Sequence, residues 1–332
     1  MEIKKLSLLS AVVLAILAYS FIQRPGIIKI DGSSTVFPVS DAVVTGFERA
    51  NKSAKVMLGI SGTGGGFKKF CNGAIDIANA SRPILAKEIA ECKAAGIEYI
   101  ELPFAYDALT VVIHPKNNWA SSLSIEELKV VWQPESQYKV KNWNQVNSIF
   151  PSTPLNLYGS SSDSGTFDYL SEALNIKAKS TRGDYQVAEE AHETANSVAS
   201  DINGIGYVGY ADYEDHKQKL KAVAISWKGG EAVSPSIDHV LNGSYQPFSR
   251  PLMIYVNASS LKKPEVSAFI DYFLENSRKY VQQVKYVALP DYAYTTLASR
   301  VKNQVIGTVF GGQNQIGITI EDLIKRQPQP QH

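Results

Sequence analysis

The chain has 332 residues, 44% hydrophobic and 20% charged; this is ordinary globular usage and excludes disordered, collagen-like and coiled-coil classes. Such a length predicts one large or two medium domains with ample chain for a core. Lys plus Arg is 33 and Asp plus Glu is 32, a net charge of +1, so there is no basic excess for coating nucleic acid; a small anion held by a few placed donors stays compatible.

Residues 1–26 read as a leader. Lys4 and Lys5 form a positive region, Leu6 to Ile22 carries no charge, and Arg24, Pro25 and Gly26 end the run. This is a secretory signal pattern. Ala18-Tyr19-Ser20 allows cleavage after Ser20, and the run is also nearly long enough to stay in a bilayer as an anchor. The remainder is expected outside the cytoplasmic membrane, in the periplasm or at the cell surface. Cys71 and Cys92 are the only cysteines. An oxidising compartment favours a disulfide between them, worth about 3 kcal/mol on the chain-entropy model.

The next elements alternate. Ile27–Ile30 predicts a strand, and Val36–Ala50 a helix with Val36, Val39, Val43 and Phe47 on one face and Pro38 tolerated in its first turn. Val56–Ile60 predicts a strand. The loop Ser61–Gly66 leads into a short helix with Phe67, Phe70 and Cys71. Ile75–Ala78 predicts a strand, Leu85–Ala95 a helix, and Glu98–Leu102 and Leu109–Ile113 two strands. The second half repeats the grammar. Leu155–Tyr158 predicts a strand, residues 159–166 a loop, and Phe167, Leu170 and Leu174 the inner face of a helix. A helix over Gln186–Ser200 precedes the run Gly204–Tyr210. Leu252–Val256 predicts a strand, Pro264–Asn276 a helix, and Gln327–His332 a disordered tail. Strands alternating with helices mean an α/β fold with a largely parallel sheet. No linker-like tract separates two halves, so two lobes joined by crossing strands fit best.

Three strand-to-helix loops share one composition: Gly32–Val36, Ser61–Gly66 and Ser162–Thr166. Each places small residues, hydroxyls and backbone N–H groups at a helix start, where free donors and the positive dipole end suit an anion. In open α/β sheets ligands bind at the carboxyl ends of strands, where these loops belong. One such loop alone is usually an N-cap; three point to a site. A fourth loop adds Arg82, able to give an oxyanion a charge-assisted bond or to form a surface salt bridge.

Competing chemistries fail. Phe67 separates Gly66 from Lys68, which breaks the nucleotide phosphate loop, and it stands where a dinucleotide motif needs its third glycine. Ser164 lies outside a Gly-x-Ser-x-Gly elbow. His114, His192, His216, His239 and His332 are scattered without metal spacing. No carboxylate pair stands out for acid–base work. No enzyme activity, cofactor or metal is therefore expected.

Several stretches resemble the phosphate-binding protein of the phosphate ABC transporter, the PstS family. They are Gly32-Ser33-Ser34-Thr35-Val36-Phe37-Pro38, Ser61–Phe67, Asn79-Ala80-Ser81-Arg82-Pro83 and Asp163-Ser164-Gly165-Thr166-Phe167, with support from Gly204–Tyr210 and Val287-Ala288-Leu289-Pro290. The match runs in order from about residue 27 to residue 310, and is closest to a branch with a Ser-Arg-Pro loop that includes cyanobacterial phosphate-binding proteins. The resemblance implies a periplasmic-binding-protein type II fold: lobe one over 27–107 and 248–326, lobe two over 108–247, joined by two crossing strands. It implies inorganic phosphate clamped between the lobes and passed to a membrane permease by a monomer.

Carried over residue by residue, Ser34, Thr35, Val36 and Thr63 donate from lobe one, and Ser164, Gly165 and Thr166 from lobe two. Ser81 stands where the best-known pattern has Asp, and Ser160 where it has Arg. Arg82, beside Ser81, reads as the compensating cation, moved to the other lobe. The lost Asp removes the acceptor for the proton of hydrogen phosphate, and with it the usual ground for rejecting sulfate. Two other readings follow from these residues: a binding protein for another oxyanion such as sulfate or molybdate, and an anchored phosphate sensor. A phosphatase using Ser164 lacks a base.

Overall fold

The computed structural model describes residues 26–162, 164–176, 180–313, 315 and 318–329. The predicted leader before Gly26, Asp163 of the fourth resembling stretch, and residues 330–332 of the tail lie outside them.

The first stretch runs β1 (Gly26–Gly32), α1 (Phe37–Ala50), β2 (Ala54–Leu58), α2 (Gly62–Cys71), β3 (Ile77–Ala80), α3 (Ala86–Ala94) and β4 (Tyr99–Ile113). Then come β5 (Ser122–Ser124), α4 (Ile125–Trp132), β6 (Asn156–Ser160), α5 (Gly165–Ala173), β7 (Gln186–Ala188), α6 (Ala191–Ala199) and β8 (Gly204–Gly209). The rest is α7 (Tyr210–His216), β9 (Lys221–Ala222), β10 (Ala224–Ser226), α8 (Ile237–Leu241), β11 (Ser249–Asn257), α9 (Pro264–Gln283), β12 (Val287–Ala288), α10 (Asp291–Lys302) and α11 (Ile320–Lys325).

One mixed sheet carries both lobes in the order β2-β1-β3-β11-β4-β8-β6-β7. In the first lobe β2, β1 and β3 are parallel neighbours, and in the second β7, β6 and β8 are. Between them β11 and β4 run antiparallel to each other. β4 pairs with β11 through Tyr99–Ala108 and with β8 through Leu109–Ile113, so one strand serves both lobes. This is the α/β, two-lobed architecture that the alternating pattern implies.

Two of the predicted strands are therefore one. β4 is buried over all 15 residues, which a strand covered on both faces requires. Pro103 and Asp107 disguised that continuity. Pro103 has no N–H for the ladder, and the register with β11 shifts there, pairing Met253 with Pro103 and Leu252 with Ala105. The helix predicted over 186–200 is strand β7 followed by α6, and the glycines of Ser61–Gly66 belong to the first turns of α2 rather than to a loop. The disordered tail predicted from Gln327 is wrong for its described part. Gln329 exchanges two backbone hydrogen bonds with Thr308, and Arg300 ties Arg326 O to the same corner.

The glycine of α2 is explained by contact. A Cβ on Gly66 would lie 2.7 Å from Gly32 Cα, so helix and strand end approach backbone to backbone. Cys71 and Cys92 are joined in a disulfide between α2 and α3. Phe67, Phe70 and both cysteines are buried.

Candidate functional site

The first loop ends β1 and starts α1. Ser33 N–H donates to Asn79 O (2.9 Å), and Ser33 O accepts from Phe37 N–H (3.1 Å), which fixes the turn that presents Ser34 and Thr35. Tyr286 hydroxyl donates to Thr35 O (3.0 Å) from below. Val36 differs from its predicted companions. Its side chain is fully buried and its N–H points to Ser33 Oγ (3.4 Å).

The second and fourth loops meet. Thr63 Oγ1 lies 3.1 Å from Ser81 Oγ and accepts from Ser81 N–H (3.2 Å). Ser61 Oγ donates to Asp31 (2.5 Å), which Lys69 also pairs (2.6 Å); these bonds brace the start of α2. From the second lobe, Ser164 caps α5, its Oγ accepting from Thr166 N–H (3.1 Å). Gly165 reaches across the cleft. A Cβ there would be 3.1 Å from Thr35 Oγ1, so the two lobes touch at Thr35.

This contact divides the cleft. On one side lies a cavity of about 580 Å³ lined by Ser33, Ser34, Thr35, Gly62, Thr63, Ser81 and Arg82 of the first lobe, with Asp168 and Glu172 of α5, Asn175 just beyond it and Arg250 of β11. On the other is a smaller one of about 250 Å³, shared by Ser34, Thr35, Gly165, Thr166 and Asp107. The structure thus brings Ser34, Thr35, Thr63, Ser81 and Arg82 together, and sets Gly165 and Thr166 behind the Ser34–Thr35 wall.

Arg82 is held from behind. Its Nη1 and Nη2 donate to Glu88 Oε2 (2.9 Å) and Oε1 (2.7 Å), and Nη1 also donates to Pro83 O (3.0 Å). Burial pulls hardest against its charge, but the hydrogen bonds and charge of Glu88, with the Glu172 charge beside them, together outweigh it and hold the guanidinium above its ordinary range. Arg82 therefore carries a salt bridge and lines the cavity at once.

A second cation escaped the sequence reading. Arg250 Nε and Nη2 donate to Asp107 Oδ2 (3.2 Å each), Nη1 to Glu172 Oε2 (3.0 Å) and Nη2 to Thr35 Oγ1 (3.2 Å). Its guanidinium lies 3.7 Å from the centre of the Tyr169 ring. Arg250 and Asp107 sit on the two crossing strands, and Glu172 and Tyr169 on α5 of the second lobe, so this cluster stands where the lobes meet. Burial pushes the Asp107 carboxyl above its ordinary range, with Arg250 pulling it back. A signal was present: Glu101 and Asp107 are the only acids in the otherwise apolar run Tyr99–Ile113, and a buried charge needs a partner.

Hydroxyls of the first lobe and two guanidinium groups on one cavity make this cleft the candidate anion site. Residues 20–277 match the model of the PBP superfamily domain. Protein SphX of Synechococcus elongatus is 46% identical over 301 residues, 91% of this chain and 89% of that protein. The chain belongs to the PstS/SphX family of the PBP superfamily. Within that family, the phosphate-binding protein PstS of Staphylococcus saprophyticus is 36% identical over 285 residues, 85% of this chain and 86% of the relative. The crystal structure of a possible phosphate-binding protein from Planctomyces limnophilus superposes with a TM-score of 0.80 at 44% identity, covering 84% of this chain and 98% of that one.

Proposed function

We propose that this PstS/SphX-family chain is a non-catalytic, extracytoplasmic solute-binding protein. It captures inorganic phosphate between its lobes and delivers it to the permease of an ABC transporter. The observation that carries the reading is the convergence on one cavity of the Ser34, Thr35, Thr63 and Ser81 hydroxyls with Arg82 and Arg250. A phosphate leaving water needs a partner for nearly every oxygen, and this set supplies hydroxyl donors and two charge-assisted ones. The division into lobe one, 27–107 with 248–326, and lobe two, 108–247, is part of the reading. So are Ser164, Gly165, Thr166 and Val36 as donors that engage when the lobes move about their crossing strands.

Ser81 supports a second reading, another tetrahedral oxyanion, because a hydroxyl there does not select for a protonated ligand. Titration calorimetry with phosphate, sulfate and arsenate near neutral pH separates the two. Heat with phosphate and none with sulfate is expected; no heat with phosphate overturns the function.

A further inference from the structure

Both arginines of the cleft are bonded to carboxylates in this structure, but the carboxylates are not alike. Glu88 and Asp107 are buried, 12% and 11% exposed at the side chain, while Glu172 is 45% exposed. Glu88 grips Arg82 with both oxygens and also accepts Leu85 N–H (2.9 Å). Asp107 accepts two donors from Arg250 on the neighbouring strand. Glu172 meets Arg250 through one oxygen, from the other lobe.

Its position matters as much as its exposure. Glu172 lines the hydroxyl cavity and also a second one of about 580 Å³, which opens beside it toward Trp227 and Lys228. Ser81, Arg82 and Arg250 line both as well. The Glu172–Arg250 contact therefore stands on the boundary between the two cavities. The Glu172 charge also acts on Arg82, so this carboxylate sits in the field of both guanidinium groups, where an oxyanion would be held.

We propose that Glu172 is a resident stand-in for the anion. In this structure its carboxylate accepts from Arg250 Nη1; an arriving oxyanion takes that edge, and Glu172 turns out to solvent. The proposal rests on the reading that this cleft takes phosphate. Its logic is electrostatic. A buried guanidinium with an unused edge is costly when the cleft is empty. A carboxylate fixed against a bound anion is repulsive, so a carboxylate that serves the empty state must leave the filled one. Glu172 is exposed enough to do so, and Glu88 and Asp107 are not. The device lowers affinity: an occupancy of about nine-tenths at Arg250 would leave a competent fraction of about one-tenth and raise the apparent Kd about ten-fold.

The test is Glu172→Gln in the full mature protein, titrated with inorganic phosphate and followed by stopped-flow tryptophan fluorescence. Binding about ten-fold tighter, with faster association, is expected. A second arm uses Glu172→Ala with added acetate, which refills the Arg250 edge and returns phosphate affinity toward the wild-type value while leaving wild type unaffected. Unchanged or weaker binding in folded Glu172→Gln, or acetate-insensitive Glu172→Ala, overturns the stand-in and makes Glu172 a clasp between lobes. Absence of phosphate binding by wild type itself, seen in the same titrations, would instead strike the proposed function.

Discussion

Arg82 and Glu88 meet fork to fork, Nη1 to Oε2 at 2.9 Å and Nη2 to Oε1 at 2.7 Å. The pair aims a guanidinium at the cavity and leaves less of it free for a ligand than a lone cation would offer. Arg82→Ala is therefore expected to weaken phosphate binding by about 1.5–3 kcal/mol, the worth of a hydrogen bond to a charged group. Glu88→Gln should weaken it by less, because Arg82 stays but loses its aim. Calorimetry on both variants checks this, and an unchanged affinity in Arg82→Ala would confine Arg82 to the architecture of its own lobe.

Asp107 and Arg250 join the two crossing strands as a largely buried ion pair, each side chain 11% exposed. Removing one partner of a buried ion pair strands the other, at about 3–5 kcal/mol. Asp107→Asn is expected to show that loss in urea unfolding. The double variant Asp107→Asn with Arg250→Met should recover part of it, since no charge is then left buried. A single variant as stable as wild type would mean that Glu172 alone suffices to compensate Arg250.

The Cys71–Cys92 disulfide closes a loop between α2 and α3. α2 begins at Gly62-Thr63, and α3 carries Glu88. Replacing both cysteines by serine should cost about 2–4 kcal/mol of folding stability, read as a lower midpoint in denaturant at unchanged slope. An unchanged midpoint would show that the packing of Phe67 and Phe70 already fixes the two helices.

Periodicity exposed what is periodic. Val36, Val39, Val43 and Phe47 predict the buried face of α1, and all four are in the core. Hydroxyl-rich helix starts pointed to Ser34, Thr35 and Thr63, and the family resemblance to Ser81; all four line one cavity. The misses share a cause, which is tertiary pairing. β4 read as two strands because Pro103 and Asp107 look like breaks, yet a register shift absorbs the first and Arg250 neutralises the second. Arg250 lies 143 residues from Asp107 and 215 from Thr35, so no local spacing announces it. Glu88, in the first turn of α3, and its grip on Arg82 were not read from the sequence.

Asp184 gives the second lobe an acid sensitivity of its own. Arg182 is almost fully buried; Nε and Nη2 donate to Asp184 (2.6 and 2.8 Å), and Nη1 and Nη2 to Val131 O (3.2 Å) and Val140 O (2.9 Å). Hydrogen bonding from Arg182 holds the Asp184 carboxyl down at about 2, against an unfolded value of about 3.9. A folded value below the unfolded one means that stability from this group is complete above about pH 4 and is lost as pH falls through about 2. Acid unfolding should thus steepen between about pH 4 and pH 2. Asp184→Asn removes that proton uptake, so the variant should be less stable at neutral pH and flatter through the same window. Thermal melts at steps of pH, compared between wild type and variant, measure the difference; parallel curves would mean that Arg182 leans on its backbone carbonyls and not on Asp184.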